Sequence, residues 1–278
     1  MATSNEDWAA AAPLYKQVER LTTPPCQSLL NRVSALLPLN NPSTSAFDNG
    51  CGTGVLTAVV KTRYPRVPLL ATDASDGMIG ILQSRIDDQK WAEVTARVVD
   101  SRTLDGIKDD SFTHTFSTFM VCLAPEPDKI VHEMRRVTRE GGVLGLAVWG
   151  DPYFGPFTLP WERACREFIS DYKPPMLMDA NWTLARNVEA GLDKAGFKGV
   201  EVWEEYLAWR WENAEAVSDY FIDGGNPANL RTIDSFKARG GDVSQARPIF
   251  ERIVQEEWGQ KDGSIELRVW AALATARK

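Results

Sequence analysis

A glycine-rich segment from Phe47 to Gly54, FDNGCGTG, carries the most specific chemical signal in the sequence. Its glycines stand at positions 50, 52 and 54, where they let the backbone turn tightly and approach a bound molecule closely. An acid, Asp48, stands two residues before the first glycine. A loop that directs helix amides at a pyrophosphate would not favour this carboxylate. S-adenosylmethionine carries an ammonium and a sulfonium instead of a phosphate, so the pattern predicts a site for that cofactor.

A nicotinamide dinucleotide site is the main alternative, since that cofactor also binds a glycine-rich loop between a strand and a helix, with GxGxxG spacing. In this chain the third glycine is Gly54 and the next residue is Val55, which disfavours that alternative. Asp73 ends the next predicted strand, where its carboxylate can accept hydrogen bonds from both hydroxyls of a ribose. Both cofactors contain a ribose, so Asp73 does not distinguish them.

Strands and helices alternate from about residue 46 to residue 150, and these elements must hold the loop. The pattern predicts strands at Ala46–Asn49, Leu69–Thr72, Ala96–Val99, Phe112–Phe119 and Val143–Trp149. Helices are predicted after the glycine loop, around 79–86, and from about 130 to a stop near Gly141. This alternation indicates an α/β fold with a doubly wound, mostly parallel sheet and right-handed crossovers. Ligands bind such sheets at the carboxyl ends of the strands, where the glycine loop would lie.

The flanking segments have a different character. Residues 1–45 are predicted to form a helical cover with a break at Pro24-Pro25, because proline interrupts helices. Residues 150–185 are rich in proline, glycine and aromatic residues and are predicted to form an inserted lid over the carboxyl end of the sheet. In 186–278 we expect a helix at 186–195, a strand at 199–210, helices over 213–258 and a final strand at 264–275. We expect residues 1–278 to form a single domain around the core at 46–150.

The DxGxGxG pattern in FDNGCGTG resembles motif I of class I S-adenosylmethionine-dependent methyltransferases, most of all the group that includes the ubiquinone and menaquinone C-methyltransferases. The segment RRVTREGGVLGLAVW resembles that family's helix end and fifth strand, with Glu140 in place of proline. The resemblance covers about residues 46–150. It implies a seven-stranded Rossmann-like sheet and S-adenosylmethionine as the methyl donor.

The resemblance also implies cofactor contacts along the chain. Asp73 matches the ribose-binding acid, Met78 the hydrophobic position beside the adenine, and Asp100 the acid that accepts the adenine amino group. Tyr15 resembles an aromatic residue that closes over the cofactor, where a ring face near a sulfonium gains cation–π stabilisation. The complete predicted cofactor set is Tyr15, Asp48, Gly50, Cys51, Gly52, Thr53, Gly54, Asp73, Ala74, Met78, Asp100, Ser101, Thr118, Phe119 and Met120.

Methyl transfer is an in-line displacement at the carbon on the sulfonium, so the protein mainly aligns and desolvates the reactants. The two histidines, His114 in the fourth strand and His132 on a helix, are predicted to be structural. The four cysteines are widely spaced and are predicted to be reduced and mostly buried, and no spacing predicts a metal site. Without an evident general base, the sequence favours a nucleophile such as a thiol, whose pKa of ~8.5 leaves it partly ionised.

Aromatic and methionine side chains of the lid are predicted to line the acceptor pocket, since they suit a flat or sulfur-bearing small molecule. They are Trp149, Tyr153, Phe154, Phe157, Met176, Met178 and Trp182. The opening WAAAAPLYKQVERLT and the turn WGDPYFGPF resemble fungal methyltransferases of this group, among them enzymes that act on epidithiodiketopiperazine metabolites such as gliotoxin. That resemblance favours S-methylation of thiols. The alternatives are N- or O-methylation of another secondary metabolite and a non-catalytic protein that binds the cofactor or a partner.

The net charge of −7 disfavours nucleic acid and anionic membranes as partners. No segment reads as a signal peptide, and no apolar run approaches the ~20 residues of a membrane span. We therefore expect a cytoplasmic protein whose partner is a small-molecule acceptor. The sequence does not determine the oligomeric state, although we favour a monomer.

Overall fold

The computed structural model describes Trp8 and the chain from Tyr15 to Lys278, with side chains from residue 18 onward. The expected contact of the Tyr15 ring with the cofactor therefore lies outside the described residues. The strands are β1 Ala46–Asn49, β2 Leu69–Asp73, β3 Val94–Val98, β4 Phe112–Thr118, β5 Thr138–Trp149, β6 Lys198–Trp211 and β7 Ile265–Arg277. The α-helices are α1 Tyr15–Leu36, α2 Val55–Arg63, α3 Asp76–Gln89, α4 Pro127–Val137, α5 Gly155–Arg166, α6 Ala185–Lys194, α7 Ala214–Ser218, α8 Pro227–Lys237 and α9 Val243–Trp258.

The seven strands form one sheet in the order β3-β2-β1-β4-β5-β7-β6. Neighbouring strands from β3 to β5 are parallel, whereas β7 runs antiparallel to both β5 and β6. The prediction of a doubly wound, mostly parallel seven-stranded sheet is confirmed. The order reverses at β1, which pairs with β2 on one side and β4 on the other, and the carboxyl ends of these strands diverge there. Such a switch point leaves a crevice for a ligand.

The helix α1 is continuous through Pro24 and Pro25, so the predicted break at these residues is wrong. Two prolines inside a helix remove two backbone hydrogen bonds. One face of α1 nevertheless buries Leu21, Cys26, Leu29, Leu30 and Val33 in the main core. Packing of an apolar face supplies most helical stability in proteins, and here it offsets the cost of the prolines.

The helix α4 ends at Val137, earlier than the predicted stop near Gly141. The next residue, Thr138, already belongs to β5. Its hydroxyl donates to the carbonyl of Met134 (2.6 Å), and it also bonds to the hydroxyl of Thr115 on β4 (2.8 Å). Thr138 thus closes the helix and starts the strand, and the two glycines at 141 and 142 lie inside β5.

Helices α5, α8 and α9 pack together around one buried aromatic residue. Trp161 of α5 is fully buried, and its ring centroid lies 5.6–5.9 Å from those of Phe221, Phe236 and Phe250. Phe236 belongs to α8 and Phe250 to α9, while Phe221 lies in a π-helical turn at Asp219–Asp223. The segment predicted as a lid therefore shares an aromatic core with the helices that follow β6.

Replacement of Trp161 by alanine tests this core. We expect Trp161→Ala to lower the free energy of unfolding by about 3–5 kcal/mol, because a buried Trp-to-Ala change leaves a large cavity. The matched control is Leu159→Ala in the same helix, where the side chain is 57% exposed. That change should shift the free energy by only about 0.5 kcal/mol. Urea unfolding followed by circular dichroism measures both, and equal effects would contradict the proposed packing.

Candidate cofactor and acceptor site

A cavity of about 430 Å³ opens at the carboxyl edge of the sheet, beside the switch point. Small-molecule sites in proteins span about 300–1,000 Å³. Residues that follow β1, β2, β3 and β4 line one half of the cavity, which includes the glycine loop. The other half is lined from β5, β6 and the segments that follow them. We call the first half the cofactor half and the second the acceptor half.

The glycine loop between β1 and α2 requires glycine at two of its positions for steric reasons. A Cβ on Gly50, where φ is +70°, would lie 2.5 Å from Cγ of Met120. A Cβ on Gly54, where φ is +86°, would lie 2.4 Å from Cδ1 of Leu82. Gly52 has nothing within 4 Å of such an atom, and it lines the cavity. The loop is thus packed tightly on the protein side and open on the ligand side.

Asp73 at the end of β2 fixes the loop and faces the cavity. Its Oδ2 accepts a hydrogen bond from the amide of Gly52 (2.9 Å), and its Oδ1 accepts from the amide of Ser75 (2.9 Å). Burial raises the pKa of this carboxyl, while the backbone donors oppose that shift. A carboxylate accepts up to about four hydrogen bonds, so Asp73 keeps acceptor capacity for the hydroxyls of a ribose.

Asp48 lies beneath the loop instead of in the cavity wall, which corrects the prediction that it lines the cofactor site. It is fully buried in β1, where every residue is buried, and its Oδ2 accepts from the hydroxyl of Thr57 (2.7 Å). Its Oδ1 has no partner, and burial raises the pKa of the carboxyl to about 7. Gly54, which precedes α2, also stays outside the cavity wall, because a Cβ at this position would point at Leu82 of α3.

The end of β3 carries Asp100 and Ser101, both in the cavity wall. The Asp100 carboxylate is bound by the guanidinium of Arg102, with Nη2 at 2.6 Å from Oδ2, and this partner lowers the pKa of Asp100. Arg102 also lines the cavity and was not predicted from the sequence. The hydroxyl of Ser101 donates to Oδ1 of Asn49 (2.8 Å), which joins the ends of β1 and β3.

The remaining predicted cofactor residues all lie in the cavity wall. Those of the glycine loop and the second strand–helix connection are Gly50, Cys51, Gly52, Thr53, Asp73, Ala74 and Met78. Those at the end of β4 and directly after it are Thr118, Phe119 and Met120. The sequence pattern therefore predicted a set of residues that the fold places around one half of a single cavity.

The helix α1 covers the cofactor half through Glu19. The Glu19 Oε1 accepts from the hydroxyl of Thr53 in the glycine loop (2.6 Å), and Arg85 of α3 donates to both carboxylate oxygens (2.8 Å each). Trp8, Val18 and Thr22 also line the cavity, and the sequence reasoning missed them. The aromatic residue at position 8 in the same opening segment as Tyr15 was the available signal.

The acceptor half has a continuous aromatic wall. The ring of Phe119 lies 4.3 Å from that of Trp149, which lies 5.1 Å from Phe154. The ring centroids of Phe154 and Trp209 lie 6.4 Å apart, and those of Trp209 and Tyr220 lie 5.1 Å apart. We call the following set the acceptor wall: Trp149, Phe154, Leu177, Met178, Trp209, Tyr220, Asn226, Ala228 and Asn229.

Two aromatic residues of the cavity have a left-handed backbone. Phe119 has φ +60° and Phe154 has φ +55°, and each packs its ring against Trp149. A left-handed conformation costs a non-glycine residue about 1–3 kcal/mol and tends to occur at functional sites. Here it turns both rings towards the same tryptophan at the end of β5.

Three of the seven residues predicted to contact the acceptor, Trp149, Phe154 and Met178, line the cavity, and four do not. Phe157 is fully buried against Phe221, and Trp182 is buried with its indole N–H donating to Asp128 (2.9 Å). Tyr153 and Met176 are instead exposed at the surface. The prediction treated the aromatic segment as one surface, whereas α5 and the connections on either side of it direct some side chains to the cavity, some to the core and some to solvent.

The structure adds polar residues to the acceptor wall that the sequence reasoning missed. Tyr220, Asn226 and Asn229 come from the region after β6, which was predicted only as helical. Asn226 caps α8 by accepting from the amide of Ala228 (2.9 Å), and its Nδ2 donates to the Tyr220 hydroxyl (3.4 Å). In the sequence GGNPAN an asparagine precedes a proline, which indicates the start of a helix. Nothing in this local pattern indicates that the helix start lies over the sheet.

Comparison with known proteins gives a family match in the same region as the loop. Residues 46–142 match the family model described as a methyltransferase domain. Among curated proteins, the chain is 29% identical to methyltransferase ucsB of Acremonium over 71% of this chain and 70% of that protein. It is 25% identical to methyltransferase ktnA of Aspergillus niger, over 96% and 95% of the two chains. It is 23% identical to the acetylaranotin bis-thiomethyltransferase of Aspergillus terreus, over 68% and 66%.

Solved structures share the fold at low sequence identity. The YcgJ protein of Bacillus subtilis superposes with a TM-score of 0.59 at 15% identity, over 90% of this chain and 97% of that chain. A phosphoethanolamine N-methyltransferase of Haemonchus contortus, solved with S-adenosylhomocysteine, superposes with a TM-score of 0.52 at 16% identity, over 90% and 52%. The family match and the curated relatives identify the activity, and the solved structures share the fold. The protein is an S-adenosylmethionine-dependent methyltransferase.

The histidines of this methyltransferase lie outside the cavity wall. His114 is buried in β4, with Nδ1 2.6 Å from the Thr113 hydroxyl and Nε2 2.9 Å from the carbonyl of Leu37. His132 bonds to the carbonyl of Asp128 on its own helix.

The four cysteines are free and buried. In the part of the chain that the structure describes, no group of three or more histidine, cysteine or acidic residues could hold a metal ion. None of the helices described combines the length and the hydrophobicity needed to cross a bilayer.

Substitution of Asp73 tests the ribose contact. We expect Asp73→Ala to weaken S-adenosylhomocysteine binding by about 1–3 kcal/mol, because hydrogen bonds to a buried carboxylate are lost. The control is Asp76→Ala in the exposed first turn of α3, which should leave affinity nearly unchanged. Calorimetric titration measures both variants. Unchanged affinity in Asp73→Ala would show that the acid is wrongly placed.

The pKa of Asp48 predicts a pH dependence of cofactor affinity. Below pH 7 the carboxyl is mainly protonated, and above pH 7 it is an anion that attracts the sulfonium of S-adenosylmethionine. S-adenosylhomocysteine has no sulfonium and serves as the reference ligand. The affinity ratio of the two should rise between pH 6 and pH 8, by up to about tenfold for each unit by which the sulfonium lowers the pKa. In Asp48→Asn, which keeps an oxygen for Thr57 and leaves Asp73 in place, the ratio should stay constant. A constant ratio in the unmodified protein would contradict this role.

Proposed function

We propose that this methyltransferase transfers a methyl group to an uncharged, flat small molecule, with a thiol sulfur of an epidithiodiketopiperazine-type metabolite as the acceptor atom. The observation that carries the proposal is the composition of the acceptor wall. Its nine residues include no charged side chain and no histidine. An anionic or cationic acceptor would lose its hydration there without an opposite charge to replace it, at a high cost in free energy.

The cofactor half fits S-adenosylmethionine in chemistry and space. The open face of Gly52 admits a close ligand, and Asp73 offers buried acceptors for the ribose hydroxyls. Met78 supplies an apolar surface for the adenine, and Ser101 lies at the same end. Phe119 is assigned to the methionine part, beside Trp149. When bound, the cofactor supplies an electrophilic methyl group on a sulfonium.

The protein contributes alignment and exclusion of water. The acceptor wall joins the cofactor half at Phe119 and Trp149, so an acceptor stacked on Trp149 and Phe154 would lie beside the methionine part of the cofactor. Alignment of two reactants contributes up to about 7–11 kcal/mol to a reaction barrier. The aromatic rings of the acceptor wall would keep water away from the nucleophile.

The wall offers no efficient general base. Its one titratable side chain is Tyr220, and burial raises the pKa of this phenol to about 12. A phenol that stays protonated cannot take a proton at neutral pH. A thiol has the least need of such a base, because its own pKa of ~8.5 leaves a thiolate fraction in solution, and the charge of that thiolate would face the sulfonium of the bound cofactor. The similarity to a bis-thiomethyltransferase supports the same acceptor atom.

We further propose that residues 1–278 form one domain, since one core cluster extends from Leu21 to Ala276.

The acceptor atom is tested with methyl-labelled S-adenosylmethionine and a matched panel of a dithiol diketopiperazine, a phenol and an aromatic amine of similar size. Mass spectrometry should place the label on sulfur, with turnover that rises as the thiol ionises. Tyr220→Phe should retain turnover within about threefold, because the phenol does not act as a base. Label on oxygen or nitrogen alone would reject the thiol and support the alternative acceptors. Cofactor binding without transfer to any acceptor would support a non-catalytic protein.

A further inference from the structure

The side chain of Asn229 is a buried amide without a partner in the cavity wall. Asn229 is 4% exposed, and its Nδ2 has no hydrogen-bond partner. Within the part of the chain that the structure describes, its side-chain oxygen makes no hydrogen bond either. Buried polar groups in folded proteins are nearly always paired, because an unpaired group costs free energy. An amide left free in the wall of a cavity is therefore available to a ligand.

The neighbouring polar groups do not supply the missing partner. Asn226 uses its oxygen on the amide of Ala228 and its nitrogen on the Tyr220 hydroxyl. The fold needs these contacts, since they cap α8 and join it to the π-helical turn. Asn229, one helical turn further along α8, has no such structural task. It is the uncommitted polar side chain of a wall that is otherwise mostly aromatic and aliphatic.

We infer that Asn229 binds the acceptor through a ring lactam, in which a C=O and an N–H stand side by side. A primary amide presents one donor and one acceptor in the same arrangement, so the two amides complement each other through two hydrogen bonds. The ring faces of Trp149 and Trp209 in the same wall suit a flat ring. The absence of charge on the wall suits a neutral lactam over a carboxylate or an amine. This inference rests on the proposed transfer to a small uncharged acceptor and names its recognition element.

The location of Asn229 also gives it a role in specificity. It lies on α8, which comes from the last third of the chain, whereas the cofactor residues come from the ends of β1 to β4. A contact at this position would orient the acceptor ring without touching the cofactor. Loss of the amide should therefore change acceptor binding and leave cofactor binding intact.

The test is a binding measurement that needs no methyl transfer. The probe is the cyclic dipeptide of glycine and phenylalanine, a diketopiperazine with two lactam N–H groups, and the matched probe carries methyl groups on both ring nitrogens. Each is titrated into the protein saturated with S-adenosylhomocysteine, and quenching of tryptophan fluorescence reports occupancy of the wall. The unmodified protein should bind the N–H probe about tenfold more tightly than the N-methyl probe.

Asn229→Leu should abolish this preference, since leucine has a similar volume and no hydrogen-bonding group. Thr232→Val is the matched control, because Thr232 is buried in the same helix, also has an unpartnered polar atom, and lies outside the cavity wall. It should keep the preference. Unchanged S-adenosylhomocysteine affinity in both variants shows that they are folded.

Two results would overturn the inference. One is equal binding of the two probes by the unmodified protein, and the other is a preference that persists in Asn229→Leu. Failure of the proposed thiol transfer is a separate result, because it appears as label on another atom and leaves this binding comparison unaffected.

Discussion

The hydrogen bond from the Gly52 amide to the Asp73 carboxylate is the interaction on which the site depends. It joins the loop after β1 to the end of β2, at the point where the strand order reverses. The same carboxylate accepts from Ser75, whose own hydroxyl caps α3. Burial makes the charged form of Asp73 costly, so the backbone donors and a ligand with hydroxyl groups stabilise it together. The loop conformation and the proposed ribose contact therefore depend on the same side chain.

The cofactor half and the acceptor half have different structural origins. The first consists of the ends of parallel strands, which any sheet of this topology brings together. The second requires the long antiparallel pair β6 and β7, the π-helical turn and the N-terminus of α8 to meet over β5. Trp149 at the end of β5 contacts both halves through Phe119 and Phe154. Substitutions in the acceptor wall can therefore leave the glycine loop unchanged.

The cofactor half could be predicted because its signals are local. The glycine spacing, the acid at the end of β2 and the strand pattern each lie within a few residues of the feature that they specify. The depth of Asp48 could not be predicted, since it depends on burial of the whole of β1 between β2 and β4. The prolines of α1 also misled the local reasoning, because tertiary packing of Leu29 and Val33 outweighs their cost.

The acceptor wall could not be predicted because it depends on contacts between distant residues. Trp209 and Asn229 follow the predicted lid by more than one element, and only the fold brings them into the same cavity wall as Trp149. Conversely, Phe157 and Trp182 lie in the predicted segment but serve the core. Aromatic composition indicated that a large apolar surface exists, while the direction of each side chain depends on the helix, strand or connection that carries it.

We propose that the cavity at the switch point binds S-adenosylmethionine and not a dinucleotide. Calorimetric titration of the unmodified protein with S-adenosylhomocysteine and, separately, with NADH tests it most directly. We expect one S-adenosylhomocysteine to bind per chain and NADH to give no heat. Binding of NADH, or the absence of heat with S-adenosylhomocysteine, would contradict it.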